Sequence, residues 1–188
     1  WQGQILIRVQ DYSYSIAKKT LWQAASFSIK CGMKLAIIGP NGCGKTTLLK
    51  EFLKAHSNTS DNIQIAGGGK IGYYSQNIDI LDPAKNLLGN LQETSSQSET
   101  LLRSILIRLR FQREDFFKPI HILSGGEKAK AALAKIFVSD CNVLMLDEPT
   151  NHLDLDAVTA LEELLCSYTG TLIFVTHDRR LLKTTATN

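Results

Sequence analysis

Residues 39–47 read GPNGCGKTT, between the apolar run LAII at 35–38 and the amphipathic run KTTLLKEFLKA. The match to G-x-x-x-x-G-K-[ST] demands a strand before the loop and a helix after it, and both flanks comply. Glycines 39, 42 and 44 let backbone N–H groups wrap an anion the size of a phosphate. Lys45 would reach the β- and γ-phosphates of a nucleotide, and the Thr46 hydroxyl would hold Mg²⁺. Gly39, Pro40, Asn41, Gly42, Cys43, Gly44, Lys45, Thr46 and Thr47 therefore form the candidate phosphate site. A buried strand that feeds a helix through such a loop points to an α/β protein with a parallel sheet.

The rest of the chain fits that class. NVLML (142–146) and TLIFV (171–175) read as buried strands, with DLDAVTALEELLCSY between them as a helix capped by Asp154. Ile5, Ile7 and Val9 alternate with Leu6, Arg8 and Gln10 as a strand, which DYSYS should break before LWQAASFSI resumes it. These first thirty residues look antiparallel. Gly67–Gly69, between IQIA and KIGYYS, reads as a hairpin turn. Leu102, Ile105, Leu106 and Leu109 recur at helical spacing, and ETSSQSE (93–99) is the one polar, disorder-like stretch.

A chain of 188 residues, 44% hydrophobic and 21% charged, can bury a full core. Its net charge of +3 is too mild to argue nucleic-acid binding by itself. Cys31, Cys43, Cys141 and Cys166 show no zinc spacing and suit a reducing compartment. No apolar run reaches membrane-span length, and no signal peptide is visible. The chain opens on Trp1, so it reads as a segment of something longer.

A second anion site is written into LSGGEKAKAALAKI (123–136). Ser124, Gly125 and Gly126 lead straight into an alanine-rich helix whose N-terminus favours negative charge. Two acids, Asp147 and Glu148, end the strand CNVLMLD, at the strand tip where α/β folds bind ligands. Asp147 would contact the Mg²⁺ shell, and Glu148 could orient or deprotonate an attacking water. His177, in VTHD, occupies the same kind of strand tip. Gln76, after KIGYYS, is a neutral candidate for Mg²⁺ or the water.

In order, GPNGCGKTT, Gln76, LSGGE, VLMLDEPTNHLD and VTHD resemble the nucleotide-binding domain of the ATP-binding-cassette (ABC) family, over nearly the whole chain. The resemblance implies a P-loop NTPase (RecA-like) core with a mainly parallel sheet. An antiparallel β subdomain (about 1–34) and a helical subdomain (77–138) carrying LSGGE would flank the core (35–76 and 139–188). It implies ATP and Mg²⁺ as ligands, with Lys45, Glu148 and His177 catalytic and Thr46, Gln76 and Asp147 around the metal. Two cassettes would face each other head to tail, so that Ser124 and Gly126 bind the γ-phosphate held by the other. An aromatic after the first strand would stack on adenine: Tyr14, or Ile16 if the turn is shorter.

Three features look like the ABC-F branch of soluble, paired cassettes that act on ribosomes. Glu127 stands where transporter cassettes usually carry glutamine, DEPTNHLD and SYTGTLIFVTHDRRLL are similar to that branch's run, and only about four dozen residues separate Gln76 from Leu123. The resemblance implies a cytoplasmic protein that meets the ribosome and tRNA through its parent chain, in translation regulation or antibiotic protection, without membrane insertion. The alternative is the ATPase subunit of a membrane transporter. Arg103, Arg108, Arg110 and Arg113 could contact ribosomal RNA phosphates or form a solvated helix face.

Overall fold

The computed structural model describes residues 3–16, 19–58, 60–75 and 80–186. Strands β3 (Lys34–Ile37), β5 (Ile71–Tyr74), β6 (Val143–Asp147) and β7 (Thr171–Val175) form one parallel sheet in the order β3-β7-β6-β5. Along β6 and β7 successive side chains enter opposite layers. Val143, Met145, Ile173 and Val175 face one core, while Leu144, Leu146, Leu172 and Phe174 face another. Burial on both faces is why these strands read as unbroken apolar runs.

A second sheet, antiparallel and ordered β2-β1-β4, consists of β1 (Ile5–Ile16), β2 (Lys19–Lys30) and β4 (Ile63–Ile65). Helix α1 (Lys45–Ser57) lies between the two sheets. Its Leu49 and Phe52 share a core with Leu6, Ile7, Val9 and Ile29 from one sheet and Met145 and Ile173 from the other. On the far face of the parallel sheet pack α2 (Leu87–Gln92), α3 (Glu99–Arg108), α4 (Gly125–Val138), α5 (Leu155–Ser167) and α6 (Arg179–Thr185). Among the described residues no helix is long and apolar enough to cross a membrane.

Three local expectations are corrected. DYSYS does not break the first strand: β1 continues to Ile16 across bulges, with Asp11 at φ 45° and Ala24 at φ 48°. Hydroxyls replace the lost ladder bonds, since Asp11 N–H donates to Ser26 Oγ (2.9 Å) and Ala24 N–H to Ser13 Oγ (2.9 Å). The polar residues that looked like a break thus fill the bulges. Gly67–Gly69 is not a hairpin turn either. It is a crossover, because β4 pairs with β1 while β5 pairs with β6 in the other sheet. The stretch 93–99 is tied down by hydroxyl bonds from Ser95 to Val138 O (2.6 Å) and from Ser96 to Asp140 Oδ1 (2.9 Å), and Ser98 caps α3.

The arginines predicted to cluster do not act alike. Arg103 pairs with Glu99 (2.6 Å) and lies over the rings of Phe116 and Phe117, at 6.0 and 5.9 Å from their centroids. Arg108, Arg110 and Arg113 remain exposed.

The seat of α4 on the sheet depends on Gly72 in β5. A Cβ there would meet Cys141 Sγ at 2.9 Å, Ile136 Cγ2 at 3.0 Å and Leu144 Cδ2 at 3.3 Å. Strand propensity alone would favour valine at this position, but the overpacking outweighs it. Gly72→Val is expected to destabilise the fold by about 1–3 kcal/mol, measured as a lowered urea midpoint at unchanged m-value.

Candidate functional site

Five of the six α-helices among the described residues carry a side-chain cap at their N-terminus: Asn86, Ser98, Ser124, Asp154 and Asp178 each accept a bond from the first turn. Helix α1 is different. Its N-cap is Gly44, at φ 104°, with no side-chain hydrogen bond. The free N–H groups of the first turn of α1 are left for an anion. Gly44 is also closed to other residues by packing. A Cβ would lie 2.7 Å from Cζ2 of Trp22, whose ring covers the loop from β2.

This helix terminus opens on a cleft of about 670 Å³. Asn41, Gly42, Gly44, Lys45, Thr46 and Thr47 line one side, Glu148, Asn151, Val175 and His177 another, and Ile16, Lys19 and Leu21 a third. Gly39, Pro40 and Cys43 stand behind the lining. The Gly39 and Pro40 carbonyls accept bonds from Lys45 Nζ (2.9 and 3.1 Å), and a Cβ on Gly39 would meet Cys43 Sγ at 2.8 Å.

Parallel pairing brings the tips of β6 and β7 to the loop. Thr46 Oγ1 donates to Asp147 Oδ1 at 3.1 Å, across 101 positions of sequence. Asp147 is 5% exposed. One residue later the chain turns sharply: Glu148 takes φ 51°, its N–H bonding to Val175 O (2.9 Å). Such a left-handed glutamate is a strained feature of the kind that concentrates at functional sites. Its carboxylate is held from two directions, by His177 Nε2 at 3.3 Å and by the His177 backbone N–H at 3.3 Å. Nearby in β5, the buried Tyr73 hydroxyl has no hydrogen-bond partner among the described residues. Burial, aided by the Asp147 charge, pushes its pKa up to about 12.

Thr46 and Asp147 offer a hydroxyl and a carboxylate oxygen side by side. This hard, all-oxygen pair suits Mg²⁺, which is commonly held by one or two protein oxygens with the remainder from phosphates and water. Among the described residues no group of three or more His, Cys, Asp or Glu side chains is placed to hold a metal by itself. Gln76 lies outside the described residues.

The second anion motif sits elsewhere. Ser124 Oγ accepts from Glu127 N–H (3.3 Å), while Glu127 Oε2 accepts from Ser124 N–H (2.8 Å), a reciprocal capping box at the start of α4. Gly125 and Gly126 form the first turn of α4, and a Cβ on Gly126 would lie 3.0 Å from the His152 carbonyl. Ser124, Gly126, Glu127 and Lys130 line a small recess with His152, Leu153 and Asp154, which shares no lining residue with the larger cleft.

Tyr14, expected against adenine, packs instead on Trp22 (5.5 Å between centroids) and Tyr12 (6.3 Å) and does not line the cleft; Ile16 does. Register shifts between Tyr12 and Tyr14 and between Tyr14 and Ser15 change which side chains reach that end. Lys19, Trp22 and Asn151 went unread in the sequence. Asn151 stood inside DEPTNHLD, but no local pattern marks a lysine or tryptophan of β2 as a neighbour of a loop twenty residues later.

A family profile described as ABC transporter matches residues 22–151. Over 190 residues the chain is 40% identical to ATP-binding protein Uup of Haemophilus influenzae, covering 98% of this chain and 29% of that protein. It is 35% identical over 184 residues to ABC transporter F family member 5 of Arabidopsis thaliana, covering 96% of this chain and 27% of that one. The chain thus spans under a third of the length of these curated relatives. Its backbone superposes on the ATP-binding cassette MJ0796 in a dimeric post-hydrolysis state bound to ADP and Pi, with a TM-score of 0.77 at 20% identity over 96% of this chain and 91% of that one, a likeness of fold alone. It also matches cbiO1 from Clostridium perfringens, part of the ABC transporter complex cbiONQ, with a TM-score of 0.70 at 26% identity over 94% and 80% of the two chains.

The capping box carries a pH signature. Bonds from the Ser124 backbone and hydroxyl hold the Glu127 carboxyl below its usual value of 4.5. A depressed folded pKa gives stability that is present above the unfolded value and lost as pH falls through the folded one. Glu127→Gln is therefore expected to be less stable than wild type at neutral pH, with the gap in melting temperature closing below about pH 4.5.

Proposed function

The chain belongs to the ABC transporter family, and on that premise we propose that it supplies two complementary half-sites for Mg²⁺-dependent ATP hydrolysis, completed when two cassettes meet. The chain is an ATPase cassette. The observation that carries the finer reading is the pattern of helix caps. The uncapped start of α1 faces a cleft containing Lys45, Thr46, Asp147, Glu148 and His177, whereas Ser124 lines a separate recess. A triphosphate on the first is out of contact with the second, so a second cassette brings the missing serine.

In this reading the backbone N–H groups of Asn41–Thr47 and the Lys45 ammonium bind the phosphates, and Ile16 lies against the base. Thr46 and Asp147 would hold Mg²⁺, which would supply positive charge to offset that of the phosphates. Glu148 orients the attacking water and accepts its proton, and His177 steadies that carboxylate through its backbone N–H, with its ring Nε2 3.3 Å away. Water attacks the γ-phosphorus, the bond to the β-phosphate oxygen breaks, and ADP and inorganic phosphate leave. On this reading the antiparallel subdomain takes in β4 (Ile63–Ile65) besides about residues 1–34, the rest of 35–76 with 139–188 makes the core, and 77–138 the helical subdomain.

The relative named F family member, the Glu127 ending of the signature and the run DEPTNHLD support an ABC-F protein acting in the cytoplasm on the ribosome. The whole protein is expected to cosediment with ribosomes when Glu148→Gln blocks hydrolysis. Recovery of that variant only with membranes and a permease partner would instead identify a transporter subunit.

Glu148→Gln is expected to slow ATP turnover by roughly 10²–10⁴-fold while retaining nucleotide, read by single-turnover kinetics. Unchanged turnover would remove Glu148 from the role of base. Specific activity of the cassette should rise with protein concentration as the shared sites assemble, and a flat dependence would count against pairing.

A further inference from the structure

One cation in the cleft does not come from the loop motif. Lys19 opens β2 at the tip of the first hairpin, and its Nζ donates to the Gly42 carbonyl at 3.1 Å. Its side chain lines the cleft beside Ile16 and Leu21. Lys45 behaves alike, its Nζ resting on the Gly39 and Pro40 carbonyls. Among the described residues neither ammonium has a carboxylate within 4.0 Å. Two positive charges are thus parked on neutral carbonyls of the same loop. A phosphoryl oxygen bearing formal charge is the better acceptor for both, since charge-assisted bonds are roughly twice as strong as neutral ones.

The two lysines reach the loop from different elements. Lys45 opens α1 beside Thr46 and the acid-bearing strand tips, whereas Lys19 comes from the hairpin wall that carries the apolar lining. A nucleotide whose base rests on Ile16 and Leu21 would have Lys19 beside it on the same wall of the cleft and Lys45 across it on the loop. We infer that Lys19 is a second polyphosphate-binding residue, contacting the α- and β-phosphates, so that affinity is set more by phosphate charge than by the base. The inference rests on the reading of this cleft as the nucleotide site.

Equilibrium binding of ATP, ADP and adenosine to wild type, Lys19→Ala, Lys19→Gln and Lys19→Arg tests it, with melting temperatures confirming that each variant folds. Lys19→Ala is expected to weaken ATP and ADP by about 3- to 20-fold and leave adenosine unchanged. Lys19→Gln should resemble alanine, Lys19→Arg should stay near wild type, and the salt dependence of ATP binding should flatten when the charge is removed. Restored affinity in Lys19→Gln would make the side chain a brace on the Gly42 carbonyl and overturn the inference. So would an equal loss for adenosine, or no loss at all in Lys19→Ala. Failure of wild type to bind ATP would instead overturn the reading of the cleft itself.

Discussion

Strand β6 lies between β5 and β7, with Val143 and Met145 in one core layer and Leu144 and Leu146 in the other. A one-residue slip would exchange every side chain between layers packed to different shapes. The strand is therefore held in register from four sides, and Asp147 must emerge at its tip, 5% exposed, beside Thr46. The loop geometry follows from the same restraint. Helix α1 is clamped between the two sheets by Leu49 and Phe52, which fixes where its uncapped first turn opens. Neither the hydroxyl nor the carboxylate needs to search for the other. The fold brings them together before any ligand arrives.

From that fixed tip the chain takes a short, strained path. Glu148 at φ 51° and His152 at φ 65° bracket a turn whose early residues, Glu148 and Asn151, line the large cleft. Its later residues, His152 to Asp154, line the recess at the start of α4. The His152 carbonyl lies so near Gly126 that a side chain there would have to displace it. This single loop thus forms a wall of both regions.

Much of this was legible in the sequence where the signal is local. The loop GPNGCGKTT, the Asp154 cap and the two buried strands rest on spacing and burial period, and they lie where those patterns put them. Failures came where long-range pairing overrides local chemistry. DYSYS has turn-like composition, yet Ser13 and Ser26 satisfy the donors that the bulges release, and pairing with β2 carries the strand through. Nothing within IQIAGGGKIGYYS tells that its two strands join different sheets. The partner strands are β1, far upstream, and β6, some seventy residues on. Tyr14 failed to reach the cleft for a related reason. Each bulge shifts the two-residue alternation, and counting along the strand cannot see the bulges.

The capped helices give the opposite kind of information, in what they withhold. Asn86, Ser98, Asp154 and Asp178 satisfy their own helices and leave little to offer a ligand. Ser124 also caps its helix, but it does so as half of a reciprocal pair with Glu127, which keeps the serine oriented. A glutamine at Glu127 could accept the same backbone bond; a carboxylate accepts it with a full charge and grips the turn more firmly. That negative charge also sits beside the helix start, where it competes with any incoming phosphate for the same positive end of the dipole. In the proposed pairing, this competition would make LSGGE a weak anion site alone and an adequate one only where a partner already presents a γ-phosphate.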